Sequence, residues 1–236
     1  MKKSRIATLI VFFVLIPLTL IVGSRLSGRA FYVTSTLVIV ELLIPFFLAF
    51  EGRRPQAREL VVLAVMCALA VAGRVAIPIP SFKAIFGIIM IAGIAFGPES
   101  GFLVGAISAL ASNFFYSQGP YTPWQMMAYG AGGMLAGFAF ARNRLPRKPL
   151  VMGIFGFLAV AFFVGPLLDT CSVFLVMSRI SLKGAMAFYI SGFPVNLRQA
   201  VATAIVLLVL GKPLLEKLDR IKTKYGILDD EGRKEA

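Results

Sequence analysis

Arg74, Asn113, Tyr116, Gln118, Tyr121, Trp124, Gln125, Tyr129, Asp169, Asn196, Arg198 and Gln199 lie within or beside stretches that are otherwise apolar. Together they offer cations, a carboxylate, carboxamides that both donate and accept, and flat aromatic faces with polar tips. Such a set suits the holding of a small ring-bearing ligand better than the breaking of bonds. The chain contains no histidine, which removes a His metal ligand, a His general base and Ser–His hydrolysis. Its two cysteines, Cys67 and Cys171, fall in or near apolar runs. They have no metal-ligand spacing and support no disulfide framework. No Gly-x4-Gly-Lys-Ser/Thr occurs, so the chain carries no Walker ATP site of its own. Nor does it show a paired-aspartate motif for lipid head-group transfer, or a regular array of intramembrane acids for a proton relay.

The elements that must carry these residues are hydrophobic helices. Of the 236 residues, 58% are hydrophobic and only 15% charged, against about 25% charged in soluble domains. The mean hydropathy is +0.87. Apolar runs fall at 6–23, 31–50, 60–77, 84–97, 101–117, 124–141, 150–168 and 194–211. Gly, Pro and charge separate them. Since a span needs roughly 20 apolar residues, the expectation is an all-α integral membrane protein of about eight transmembrane helices with no soluble domain. The fourth run is short and is expected to be thin, tilted or partly buried. The first follows Met1-Lys-Lys-Ser-Arg5 like a signal peptide, but it is long for one and is read as a retained helix. The stretches to Met177 and from Gly184 to Gly192 are open to reading as loop or as helix extension.

Charge orients this arrangement. The net charge of +13 would suggest nucleic acid in a soluble protein, whereas here cytoplasmic loops and anionic lipid account for it. Lys2, Lys3 and Arg5, then Arg53, Arg54 and Arg58, then Arg142, Arg144, Arg147 and Lys148, then the tail from Lys212, fall on one side. The other side holds Arg25, Arg29, Lys83, Arg179 and Lys183. The bias predicts a plasma-membrane protein with both termini in the cytoplasm. The tail is expected to be a short solvated helix followed by disorder.

With that orientation the polar residues gather at one depth near the outer surface. Trp, Tyr and Arg collect in an interfacial belt in any case, but Asn, Gln and Asp do not, so the set predicts an outward-facing pocket. Arg74 and Asp169 could instead simply pair within its wall. The loop Tyr116-Ser-Gln-Gly-Pro-Tyr-Thr-Pro123, turned at Gly119-Pro120, is either a cover for the pocket or a plain connector. Glu41 lies at another depth and is read as an interhelical hydrogen-bonding group. Ala64, Ala68, Ala72 and Ala76 form an i, i+4 stripe that allows close approach of another helix, in this chain or in another.

Particular stretches carry a resemblance to a known family. They are Ala64-x3-Ala68, Arg74 followed by Pro78-Ile-Pro80, Phe96-Gly-Pro-Glu-Ser-Gly-Phe-Leu-Val-Gly105, and above all Ser112-Asn-Phe-Phe-Tyr-Ser-Gln-Gly-Pro-Tyr-Thr-Pro-Trp-Gln-Met126. The region 60–211 resembles the substrate-binding S components of energy-coupling factor (ECF) vitamin transporters, and most nearly the cobalamin-type ones. The resemblance implies a six-helix binding core at 58–212, a two-helix addition at 1–57 and a charged cytoplasmic tail at 213–236. It implies docking through Ala64, Ala68 and Ala72 onto a membrane scaffold (T) subunit that carries two ATPase (A) subunits. On this reading the partners use the ATP, and the chain is not an enzyme and holds no covalent cofactor. The ligand would lie among outer loops at 78–83, 116–123 and 178–193. Substrate-binding residues would then be Arg74, Phe82, Lys83, Asn113, Tyr116, Gln118, Tyr121, Trp124, Gln125, Tyr129, Asp169, Asn196 and Arg198. The ligand implied is a vitamin, cobalamin first, with riboflavin or another flat heterocycle as the alternative. An autonomous secondary carrier or channel, and a small lipid-modifying enzyme, are the readings from other classes.

Overall fold

The computed structural model describes residues 15, 18, 19, 30–52, 57–177 and 181–226. The run at 6–23 and the end of the tail therefore lie largely outside the described residues. The described chain is helical: α1 Ala30–Gly52, α2 Ala57–Val75, α3 Ile85–Phe96, α4 Pro98–Tyr116, α5 Thr122–Phe140, α6 Pro149–Ala159, α7 Gly165–Val176 and α8 Leu182–Tyr225. A five-residue π-helical turn, Val160–Val164, joins α6 to α7. Pro166 follows directly on the π turn inside this continuous helix, where its missing N–H interrupts the backbone ladder.

All twelve residues of α3 are buried. A helix apolar on every side has no face for water and belongs in a core or in lipid. Here it is enclosed by α2, α4, α5 and α8. Gly97 ends it with φ 93°, a conformation open to glycine, and Pro98 starts α4 at once. The last carbonyls of α3 would be orphaned at that break. Two cations satisfy them instead: Lys222 Nζ donates to Ala95 O at 2.8 Å and Arg147 Nη2 to Ile94 O at 3.2 Å. Arg147 also pairs with Asp219 at 3.2 Å. The end of α8 is thus tied to the core, with Leu215 and Leu218 buried. It is not the separate solvated helix expected of the tail.

Backbone meets backbone where α3, α4 and α5 cross. A Cβ on Gly93 would lie 2.1 Å from Gly133 O, one on Gly101 2.5 Å from the same atom, and one on Gly105 2.4 Å from Tyr129 O. Only hydrogen fits at these crossings, and dispersion attraction between the touching backbones replaces the hydrophobic drive that lipid cannot supply. The apolar runs already contained Gly93, Gly101, Gly105 and Gly133, but the sequence marked only the alanine stripe as a place of close approach.

Two stretches that the sequence leaves open between loop and helix extension are helix. The seventh run does not stop at 168 but continues through the π turn to Val176, giving a 28-residue apolar helix. The last helix begins at Leu182 rather than at 194 and passes through Pro194 and Pro213. Proline ends most helices, but membrane helices carry it because neighbouring groups satisfy the freed carbonyl. Residues 182–193 are therefore helix, which removes most of the expected outer loop at 178–193. Ser181 caps this start, its Oγ accepting from Gly184 N at 3.1 Å.

Candidate functional site

Antiparallel succession brings the C-terminal ends of α2, α4 and α7 to the same end of the molecule as the N-terminal ends of α3, α5 and α8. Arg74 stands in the last turn of α2, where a cation suits the helix dipole. Its Nη1 donates to Ser112 Oγ and, at 2.9 Å, to Asn113 Oδ1. Its guanidinium carbon lies 4.9 Å from the Tyr116 ring centre and 5.6 Å from that of Tyr129, within the range of cation–π attraction. Tyr116 returns the contact by donating its hydroxyl to Arg74 O at 3.0 Å. Phe86 packs against Tyr129, edge to face at 4.5 Å.

Asn113 is fully buried and is the hub of the network. Its Oδ1 faces the donor-only Arg74, so its Nδ2 must point the other way. That nitrogen donates to Gln125 Oε1 at 2.8 Å and to Thr122 Oγ1 at 3.2 Å. Thr122 in turn donates to Gln118 Oε1 at 2.9 Å and accepts from Gly119 N at 3.2 Å. The carboxamide of Gln118 also reaches Leu110 O. The loop between α4 and α5 is therefore held by side chains of both flanking helices, and Ser117 within it has φ 77°, uncommon for a residue with a Cβ.

Lys83 stands in the α2–α3 connection. Its Nζ donates to Ile77 O and lies 5.8 Å from the Tyr116 ring centre. Gln199 of α8 holds this connection by donating to Lys83 O at 2.8 Å. Phe82 is half-buried in the same connection, its N–H closing a turn onto Ile79 O.

The remaining expected residues form other groups. Asp169 does not pair with Arg74. It accepts from Asn196 Nδ2 at 2.7 Å across α7 and α8, packed so closely on Gly192 that a Cβ there would be 2.1 Å from Asp169 Oδ1. Trp124 turns away from the polar network into an apolar cluster with Ile39 and Cys171, stacked on Phe174 at 5.4 Å. Among the described residues its buried indole N–H has no acceptor. Tyr121 packs against that cluster and donates its hydroxyl to Ser117 O at 2.7 Å. Arg198 is exposed on α8. Ser112, Thr122, Phe86 and Phe174 belong to these groups and were missed. Ser112 and Thr122 stand inside the longest of the family-like stretches, whereas Phe86 and Phe174 look like any other core residue. Glu41 accepts from Thr19 Oγ1 at 2.5 Å, a partner in the first apolar run.

The alanine stripe lies on the outside. Ala64, Ala68, Ala72 and Ala76 are exposed, whereas Leu63, Met66, Cys67 and Ala70 on the other face are buried. An apolar groove of about 490 Å³ runs between α2 and α4, lined in part by Ala68, Ala72, Ala111 and Phe115. Among the described residues no helix of this chain fills it.

The model of the family described as ECF-type riboflavin transporter, S component, matches residues 55–216, more than half of the 236-residue chain. The chain belongs to that family. No curated protein and no solved structure matches it. The S component is a transporter subunit embedded in a membrane, as the sequence resemblance implied at family level. The cobalamin type found no counterpart in the match. Consistent with the membrane setting, the helices Pro149–Val176 and Leu182–Tyr225 are long and apolar enough to cross a bilayer.

Proposed function

We propose that this S component captures a vitamin at the outer surface and delivers it by docking on a scaffold subunit that carries two ATPases. The observation that carries the reading is the family match over 55–216. The network of Arg74, Asn113, Gln125 and the Tyr116 and Tyr129 rings supplies polar and aromatic recognition at one end of the helices. Riboflavin is the first ligand to consider, because the matching family is named for it and because the aromatic faces suit a flat heterocycle. Cobalamin, the larger candidate, has no support from the match. The charge bias of the loops supports both termini in the cytoplasm and the network facing out.

The exposed stripe of Ala64, Ala68 and Ala72 supports the docking half of the proposal, since small residues let a partner helix approach closely. A Trp at Ala68 would fill the groove beside Phe115. In cells that co-express the scaffold and ATPase subunits, Ala68→Trp should abolish vitamin uptake while the purified variant still binds its ligand. Uptake that persists in Ala68→Trp would remove the docking assignment. Uptake by the chain without its partners would favour an autonomous carrier.

A further inference from the structure

We propose that the ligand carries an oxyanion, a carboxylate or a phosphate, and that the free edge of the Arg74 guanidinium binds it with Lys83 alongside. The inference rests on the vitamin-binding reading above and narrows its substrate class.

Arginine has five N–H donors in a fixed planar fork. Both side-chain hydrogen bonds of Arg74 use Nη1, which holds Ser112 and Asn113. Among the described residues Nε and Nη2 make no hydrogen bond, and neither is sealed from the surface. These two nitrogens form the edge that accepts a carboxylate or phosphate through parallel bonds. The guanidinium is meanwhile held in place by its Nη1 bonds and by the Tyr116 and Tyr129 rings within cation–π range. It is therefore preorganised, with one edge anchored and the other open.

Charge points the same way. Lys83 approaches the same Tyr116 ring, so two cations share one aromatic side chain. Neither has a carboxylate within ion-pair distance among the described residues. Among the described residues every partner of Arg74 is neutral. Asp169, the nearest candidate on sequence grounds, accepts from Asn196 instead. Unpaired cations in a half-buried membrane setting are costly, and such residues characteristically face a partner or a substrate path. An anionic group on the ligand completes the site. A lipid headgroup phosphate offers the same chemistry, and the test separates the two.

The experiment titrates the purified full-length chain, in nanodiscs of phosphatidylcholine, with matched pairs: riboflavin and riboflavin 5′-phosphate, nicotinamide and nicotinate, pantothenol and pantothenate, biotinamide and biotin. The expected result is one pair whose anionic member binds roughly ten- to a hundredfold more tightly, the range for a charge-assisted contact. Arg74→Gln erases that preference. So does Asn113→Asp, which keeps Arg74 but sets a carboxylate against it, and the second variant covers the case in which the first fails to fold. A neutral member that binds as tightly as its anionic partner overturns the inference and leaves the vitamin reading standing. A folded sample that binds none of these pairs, and no vitamin of a wider panel that includes cobalamin, overturns both. If Arg74→Gln changes only the retention of phosphatidylglycerol in mixed nanodiscs, with no ligand preference to lose, the anion is a lipid headgroup and the inference fails.

Discussion

Both ends of the Asn113 carboxamide are committed, one to a cation and the other to Thr122 and Gln125. The residue is fully buried, so no water replaces a lost partner. Truncation would leave donors and acceptors on three neighbours unpaired, at a cost of about 2–4 kcal/mol. Asn113→Ala should therefore lower the thermal midpoint of the detergent-purified chain by several degrees, followed through the fluorescence of its single tryptophan. An unchanged midpoint would mean that the network does not hold the ends of α4 and α5 together. At this scale the sequence was informative about membership and silent about pairing. Asn113, Gln125 and Arg74 stood out because carboxamides and charge are costly in apolar runs. Which of them touch depends on how helices rotate and cross, which a span pattern does not encode. Arg74 therefore met Asn113 and not Asp169. Trp124 illustrates the same limit, since an aromatic at the start of a helix suits a pocket wall or an apolar cluster equally well.

Neighbouring glycines of α5 separate backbone contact from side-chain contact. A Cβ on Gly133 would lie 2.2 Å from Gly101 O, whereas one on Gly132 would meet Val164 Cγ2 at 2.9 Å. A side-chain methyl can move aside, but a helix backbone moves only if the whole crossing opens. Gly133→Ala should cost roughly 1–3 kcal/mol or more, and Gly132→Ala much less. Thermal midpoints of the two variants compared side by side test this, and equal losses would contradict the backbone crossing. Gly130, Gly132, Gly133 and Gly137 all lie within α5, inside the apolar run 124–141, but a run pattern does not show which of them meets a neighbouring backbone. The stretch before Pro194 stayed open between loop and helix, because proline ends most helices, yet α8 runs through it to Tyr225. By contrast, α2, α4 and α5 followed the apolar runs closely, since turn formers and charge bound them on both sides.

Across the whole molecule, one end gathers the polar and aromatic network and the other ties α8 to the end of α3 through Lys222 and Arg147. The exposed face of α2 runs between them, from Arg58 near its start to Arg74 in its last turn. The same helix thus carries both Arg74, proposed to face the ligand, and the alanine stripe, proposed as the docking face, so changes at the two would be linked through one rigid element. The all-helical membrane class was legible from hydropathy alone, and the S-component family from the stretches around Ser112–Met126. Ligand identity was not, because ring faces and carboxamides serve many vitamins. The most direct test of the central claim is calorimetric titration of the purified chain alone, without scaffold or ATPases, against a vitamin panel led by riboflavin and cobalamin. The account predicts tight, saturable, one-to-one binding of a single vitamin. A folded chain that binds none of them would contradict it.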